Sequence, residues 1–221
     1  MPNRASSGTP WGQYDVVVAG GGVAGIGAAV AAARHGARTA LVEKTVLTGG
    51  LATNGLILIY LPLSDAGGRQ VTFGLAEEFL HRSLRYGPGE VPADWADPLT
   101  PSRYRVDFSP AAFVLALDEV LAEAGVEIWL DTLICAPILD GGRITGLEVE
   151  NKSGRGALMG RCIVDASGDA DVAHRAGAPC AEQENYLSMW ALGASLEAAG
   201  KAVAAGEGSA LLHRLILGGD N

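Results

Sequence analysis

Three glycines at fixed offsets, Gly20, Gly22 and Gly25, separate a short apolar run from an alanine-rich one. The run before them, Tyr14-Asp15-Val16-Val17-Val18-Ala19, is apolar and rich in β-branched residues. It reads as a buried parallel strand. Val23 to His35 is rich in Ala and predicts a helix that stops at Gly36. Thr39-Ala40-Leu41-Val42-Glu43 predicts a second strand. Strand, glycine turn, helix and strand in this order make a βαβ unit, in which each glycine has a task. Gly20 allows the tight turn, Gly22 lets the backbone approach a pyrophosphate, and Gly25 lets the helix pack closely on the sheet.

The unit also constrains the ligand. N–H groups at the helix start, from Val23, Ala24 and Gly25, face outward with the positive end of the helix dipole and suit phosphates. Glu43 stands at the end of the second strand, about 20 residues on, where a dinucleotide site places an acid. Its carboxylate can accept hydrogen bonds from both adenosine ribose hydroxyls and would repel a 2′-phosphate, which disfavours NADP. The glycine pattern alone does not separate FAD from NAD, and a carboxylate at a strand end is often merely solvated. The second signal is Cys162-Ile163-Val164-Asp165-Ala166-Ser167-Gly168-Asp169, a strand that ends in small residues and acids. Such an ending lets another backbone segment come close to the same ligand. Gly168 and Asp169 would then lie at the carboxyl end of the sheet, where open α/β sheets bind ligands.

Residues 44–56 form a glycine-rich loop, and Phe73 to Arg85 has helical spacing with Leu75, Phe79 and Leu80 on one side. Residues 87–103 carry four of the ten prolines and read as a long loop. Ser109 is a candidate N-cap for a helix that opens on Pro110 and ends near Ala124. Strands follow at Val126–Leu130, Leu133–Leu139 and Ile144–Glu150, the last two joined across Asp140-Gly141-Gly142. Arg161 to Ala166 predicts one more buried strand, and residues 170–221 are weakly patterned. The order implies an α/β protein with a parallel central sheet, helices and a small antiparallel β-meander.

Composition removes several function classes. A net charge of −9 gives no basic face for a nucleic-acid backbone. No apolar run reaches membrane-spanning length, and Met1 to Trp11 is polar without a signal core. Cys135, Cys162 and Cys180 form no CxxC pair, so neither a dithiol centre nor a zinc site is expected. Two of them lie in apolar runs and read as buried, inert thiols, which suits a reducing cytoplasm.

The stretch DVVVAGGGVAGIGAAVAAARHG, the strand ending Glu43-Lys44, and Val164-Asp165-Ala166-Ser167-Gly168-Asp169-Ala170-Asp171 together resemble the FAD-dependent oxidoreductases of the glutathione-reductase-like two-motif superfamily. The resemblance covers most of residues 14–182 and implies a Rossmann-like FAD/NAD(P)-binding fold with FAD as cofactor. It implies that Gly49, Gly50 and Leu51 run along the cofactor and that Ile134, in Asp131-Thr132-Leu133-Ile134, contacts the adenine. Ser167 stands where the family usually has Thr, and it keeps the hydroxyl. On this likeness, residues 14–180 are an FAD-binding domain with a helical insert at about 57–124. Residues 181–221 begin a substrate domain that is largely missing. The expected partners are a small-molecule substrate and a companion chain that supplies the rest. A chain of this length is expected to hold FAD weakly or not at all by itself.

No catalytic residue is assigned. His35 and His81 read as solvated side chains, His213 in the weakly patterned tail carries no argument, and His174 is a candidate neighbour of the pyrophosphate. Asn54 is a candidate for the flavin ring or for a loop turn. Trp11, Trp95, Trp129 and Trp190 suit core burial, and Arg103 and Arg105 beside Tyr104 read as a solvated loop. Two other readings stay open: an NAD-dependent dehydrogenase with a single Rossmann domain, and a non-catalytic chain that needs a partner.

Overall fold

The computed structural model describes residues 10–61, 63–65, 69–87, 106–181, 189–193, 204 and 213–217. In chain order the first elements are β1 (Pro10–Ala19), α1 (Val23–Arg34), β2 (Thr39–Val42), β3 (Ile59–Tyr60), α2 (Leu75–Leu84), β4 (Val106–Asp107) and α3 (Pro110–Ala124). They are followed by β5 (Glu127–Trp129), β6 (Leu133–Asp140), β7 (Arg143–Asn151), β8 (Gly154–Asp165), α4 (Asp171–Arg175), β9 (Met189–Gly193) and β10 (His213–Leu217). The chain divides into two compact units, Met1–Asn54 with Leu117–Ala181, and Gly55–Ala116 with Glu182–Asn221.

The first unit is built on a six-stranded sheet in the order β5-β2-β1-β8-β7-β6. β5, β2, β1 and β8 run parallel, while β7 and β6 continue the same sheet antiparallel. Alternation along the strands sorts their side chains. Val17, Ala19, Ala40 and Val42 join Leu147, Val149 and Leu158 in one buried cluster, which continues from the parallel strands into the meander. Val18 and Leu41 point to the other face, where α1 packs and buries Ile26, Ala29 and Val30. The expected parallel sheet with a small antiparallel layer is present, and the layer is hydrogen-bonded into the sheet.

β1 begins four residues before the expected Tyr14, because Pro10, Gly12 and Gln13 pair with Ala157, Leu158 and Met159 of β8. β8 likewise begins at Gly154 rather than Arg161. Its second half is not buried as expected: β7 accompanies it only to Met159, and beyond that point Ile163 and Val164 are half-buried and Cys162 is exposed. The buried-thiol expectation is corrected accordingly, with Cys135 half-buried and Cys180 exposed.

In the second unit, β3 pairs with β4 and β9 with β10, both antiparallel. Leu63, Leu80 and Val106 form a small core with Tyr60 and Leu84 against it. The Ser109 hydroxyl accepts a hydrogen bond from the Ala112 N–H at 3.4 Å, which makes it the expected cap of α3. The proline-rich stretch expected at 87–103 lies outside the described residues from position 88. Among the described residues no helix is long and apolar enough to cross a membrane.

Candidate functional site

The parallel register sets the site. Ala19 of β1 stands level with Val42 of β2 and with Asp165 of β8, and Val42 is level with Trp129 of β5. The segments that leave these strands therefore meet at one edge, on either side of β1, where the chain order reverses. That is the place where open parallel sheets bind ligands. Backbone hydrogen bonds tie the segments together: Gly20 N–H to Val42 O at 2.8 Å, Ala166 N–H to Ala19 O at 2.9 Å, and Gly49 N–H to Gly21 O at 2.8 Å.

Two of the three glycines are required by this packing. Gly20 has φ +106°, and a Cβ there would collide with the Ala166 carbonyl oxygen. A Cβ on Gly25 would collide with the Gly20 carbonyl oxygen. Gly22 differs. Its φ is −70°, which any residue adopts, and a Cβ on it meets nothing within 4 Å. The chain's own packing gives no reason for glycine there. The space beside it is open and adjoins the start of α1. The first bond of α1 runs from the Ile26 N–H to the Gly22 carbonyl at 2.9 Å. The N–H groups of half-buried Val23, exposed Ala24 and buried Gly25 precede that bond and have no helical acceptor. No side chain caps this helix and no acid occupies its first turn. An uncapped positive end beside a vacant Cβ position suits an anionic group.

Glu43 follows β2 and is only 7% exposed. Its Oε2 accepts the Gly21 N–H at 2.7 Å, and its Oε1 accepts the Thr45 N–H at 2.8 Å. Each carboxylate oxygen keeps a further lone pair for a ligand hydroxyl. Gly21 is therefore gripped from both sides, its N–H by Glu43 and its carbonyl by the Gly49 N–H. Gly50 lies against the same turn, since a Cβ on it would meet the Gly22 Cα at 2.9 Å. Lys44 and Leu51 project into solvent, Leu51 with 71% of its surface exposed. The Asn54 side-chain amide donates to the Thr45 hydroxyl at 2.9 Å, which is the loop-turn role. Thr132 donates its N–H to the Glu43 carbonyl at 3.1 Å, bringing the start of β6 to this edge. Ile134, two residues on, is half-buried against the main core.

The segment after β8 is organised by Asp165. Its Oδ1 accepts the Ser167 N–H at 3.1 Å and the Ser167 hydroxyl at 2.6 Å, and its Oδ2 accepts the Ala173 N–H at 2.8 Å. The Ser167 hydroxyl in turn accepts the Asp171 N–H at 2.9 Å. These bonds explain why a hydroxyl residue stands at 167. Gly168 and Asp169 are exposed at the tip, and His174 is exposed on α4. Burial alone would raise the Asp165 carboxyl, but the donors from Ser167 and Ala173 outweigh it and hold the group below the usual carboxylate range. A folded-state value below the unfolded one contributes stability at neutral pH that is lost as pH falls through it. The melting temperature is expected to drop as pH is lowered from about 5 through the ordinary Asp value near 3.9 and below. Asp165→Asn should melt a few degrees lower at pH 7, for about 1–2 kcal/mol of lost hydrogen bonding, with a flatter acid limb. A calorimetric pH series checks this.

Other candidates fall away from the edge or carry ordinary roles. Trp11 and Trp129 stack on each other at 5.9 Å. His35 caps the end of α1, and His81 lies 3.6 Å from Glu77. Trp95, Arg103, Tyr104 and Arg105, and the side chains of Trp190 and His213, lie outside the described residues. Among the described residues, no three His, Cys, Asp or Glu side chains are grouped to hold a metal. Sequence reasoning missed Thr45, Thr48 and Thr53. Their place within the glycine-rich loop was the available signal, since hydroxyls there bond to nearby backbone.

A family model described as FAD dependent oxidoreductase matches residues 15–188. No curated protein matches. Among solved structures, a probable FAD-dependent monooxygenase from Pseudomonas aeruginosa is similar at 23% identity with a TM-score of 0.55, covering 82% of this chain and 50% of that one. A geranylgeranyl bacteriochlorophyll reductase-like protein from Thermoplasma acidophilum is similar at 20% identity with a TM-score of 0.51, covering 75% and 42%. The p-nitrophenol 4-monooxygenase from Pseudomonas putida DLL-E4 is similar at 18% identity with a TM-score of 0.52, covering 75% and 43%. The chain thus spans half or less of the length of these proteins, and at these identities they share its fold.

Proposed function

The chain belongs to the FAD dependent oxidoreductase family, with FAD as cofactor, and on that premise we propose that it is the FAD-binding portion of a flavin-dependent oxidoreductase acting on a small molecule. The observation that carries the assignment to these residues is the vacant Cβ position of Gly22 at the uncapped start of α1, beside Glu43. In this reading the N–H groups of Val23, Ala24 and Gly25 hold the pyrophosphate. Gly20 and Gly25 shape the turn, and Glu43 accepts from the adenosine ribose. Ile134 lies towards the adenine, Lys44 borders the ribose, and Gly49, Gly50 and Leu51 flank the path towards the flavin. Gly168 and Asp169 approach from the opposite side of β1. When bound, the flavin would supply the redox chemistry, as an acceptor or donor of hydride. The chain's own residues position the cofactor, and the substrate surface comes from further protein, in the same polypeptide or a companion chain. Free thiols at Cys135, Cys162 and Cys180 suit a reducing compartment such as the cytoplasm.

Titration of the purified chain with FAD, followed by flavin fluorescence, tests the reading. The residues proposed for the pyrophosphate and the ribose all lie within this chain, so weak but saturable FAD binding is expected, with NAD weaker by about tenfold or more and NADP weaker still. No FAD binding at millimolar ligand, or tighter binding of NAD, overturns it.

A further inference from the structure

Thr48 is 1% exposed, yet its side chain is a hydroxyl. That hydroxyl donates to Oδ1 of Asp118, 70 residues away on α3, at 3.3 Å. Asp118 itself is exposed, but its place on α3 is fixed because Leu117, Val120 and Leu121 around it are fully buried. The Thr48 carbonyl in turn accepts the buried Thr53 hydroxyl at 2.6 Å, which closes the glycine loop on itself. The next residue, Gly49, donates its N–H to the Gly21 carbonyl and pairs with Gly22 in an isolated parallel bridge. Gly50 follows, in contact with Gly22. One hydrogen bond therefore ties α3 to Thr48, and the next residue along the backbone, Gly49, is hydrogen-bonded to the turn at Gly21.

We propose that Asp118 and Thr48 are positioning residues for the cofactor: through their mutual hydrogen bond, α3 holds the Gly49–Gly50 loop against the Gly21–Gly22 turn and so sets the affinity for the pyrophosphate. The proposal rests on the FAD-binding reading above. Neither side chain needs to touch the ligand. Both act on where Gly21 and Gly22 stand, and a binding site displaced by a fraction of an ångström loses affinity without losing its residues. A buried hydroxyl without its acceptor also carries a desolvation cost, so the loop moves to find another partner.

The test is a set of FAD dissociation constants for Thr48→Val, Thr48→Ser, Asp118→Ala, Asp118→Asn and the Val/Ala double variant, each with a melting temperature measured without FAD. Loss of one hydrogen bond corresponds to roughly a two- to tenfold change. Thr48→Val and Asp118→Ala should each weaken FAD by about fivefold. Thr48→Ser and Asp118→Asn keep the donor and the acceptor and should stay within about twofold of the parent. The double variant should be no weaker than either single one, because both remove the same bond. A merely structural role would lower the melting temperature and leave affinity and its rescue untouched. If Thr48→Val does not fold, Asp118→Ala and its Asn rescue decide alone. Parent-like affinity in all variants, or multiplicative losses in the double, overturns this inference while leaving FAD binding intact. Absence of FAD binding by the parent overturns both.

Discussion

Gly22→Ala is expected to leave the melting temperature within about 2 °C of the parent while weakening FAD roughly 10- to 100-fold. Two small terms act on stability and oppose each other: alanine is a poorer N-cap than glycine by under ~1 kcal/mol, and it restricts the unfolded chain by a similar amount. Nothing lies within 4 Å of the added methyl, so no steric term enters. The binding loss has another origin. In the proposed site, a methyl at this position stands where the pyrophosphate would approach the N–H groups of Val23 to Gly25. Displacing it lengthens charge-assisted hydrogen bonds worth about 1.5–3 kcal/mol. Gly25→Ala should behave in the opposite way. Its methyl would enter the Gly20 carbonyl oxygen and lie 3.2 Å from the Ala166 Cβ, and neither neighbour is the far end of a flexible side chain. Overpacking of this kind costs about 3 kcal/mol, or roughly 6–12 °C in a chain of this size. The pair of variants is read by differential scanning calorimetry and FAD titration. If Gly22→Ala binds FAD like the parent, the pyrophosphate does not pass over Gly22. If Gly25→Ala melts with the parent, the close approach of α1 to the turn is not a structural constraint.

The contrast between these two glycines shows what was legible in the sequence. Spacing announced the turn and the helix, because strand, breaker and helix signals agree over residues 14–36 and no long-range contact is needed to impose them. The meander was legible for the same reason, with two apolar runs closed by Gly141-Gly142. Spacing did not separate the role of Gly22 from those of Gly20 and Gly25. That distinction depends on Ala166 and the Gly20 carbonyl, which only the sheet brings alongside. Cys162 illustrates a related failure. Its neighbours are apolar, yet its exposure depends on β7 ending its pairing at Met159, a fact of register rather than composition. Asp118 and Thr48 were hidden for want of any local pattern, since an acid on a helix is ordinarily solvated and the partner is distant in sequence.

Glu43 is the proposed ribose acceptor, and the structure shows that its carboxylate is already engaged at Gly21 and Thr45. Substitution therefore acts twice. Glu43→Ala leaves two N–H donors without their acceptor in a pocket where the side chain is 7% exposed, and should cost about 1–3 kcal/mol of stability. Glu43→Gln is not a mild variant, because one of its two ends is an amide nitrogen that meets an N–H head-on. FAD affinity should fall roughly 10- to 100-fold in either, partly from lost ribose contacts and partly from a displaced turn. The two contributions separate with a ligand pair. The parent should prefer FAD over its 2′-deoxyadenosine analogue, since the missing hydroxyl removes one charge-assisted bond. In Glu43→Ala that preference should collapse to near unity, whatever the absolute affinity. An undiminished preference in the variant would remove Glu43 from the ribose and leave it only the task of holding Gly21.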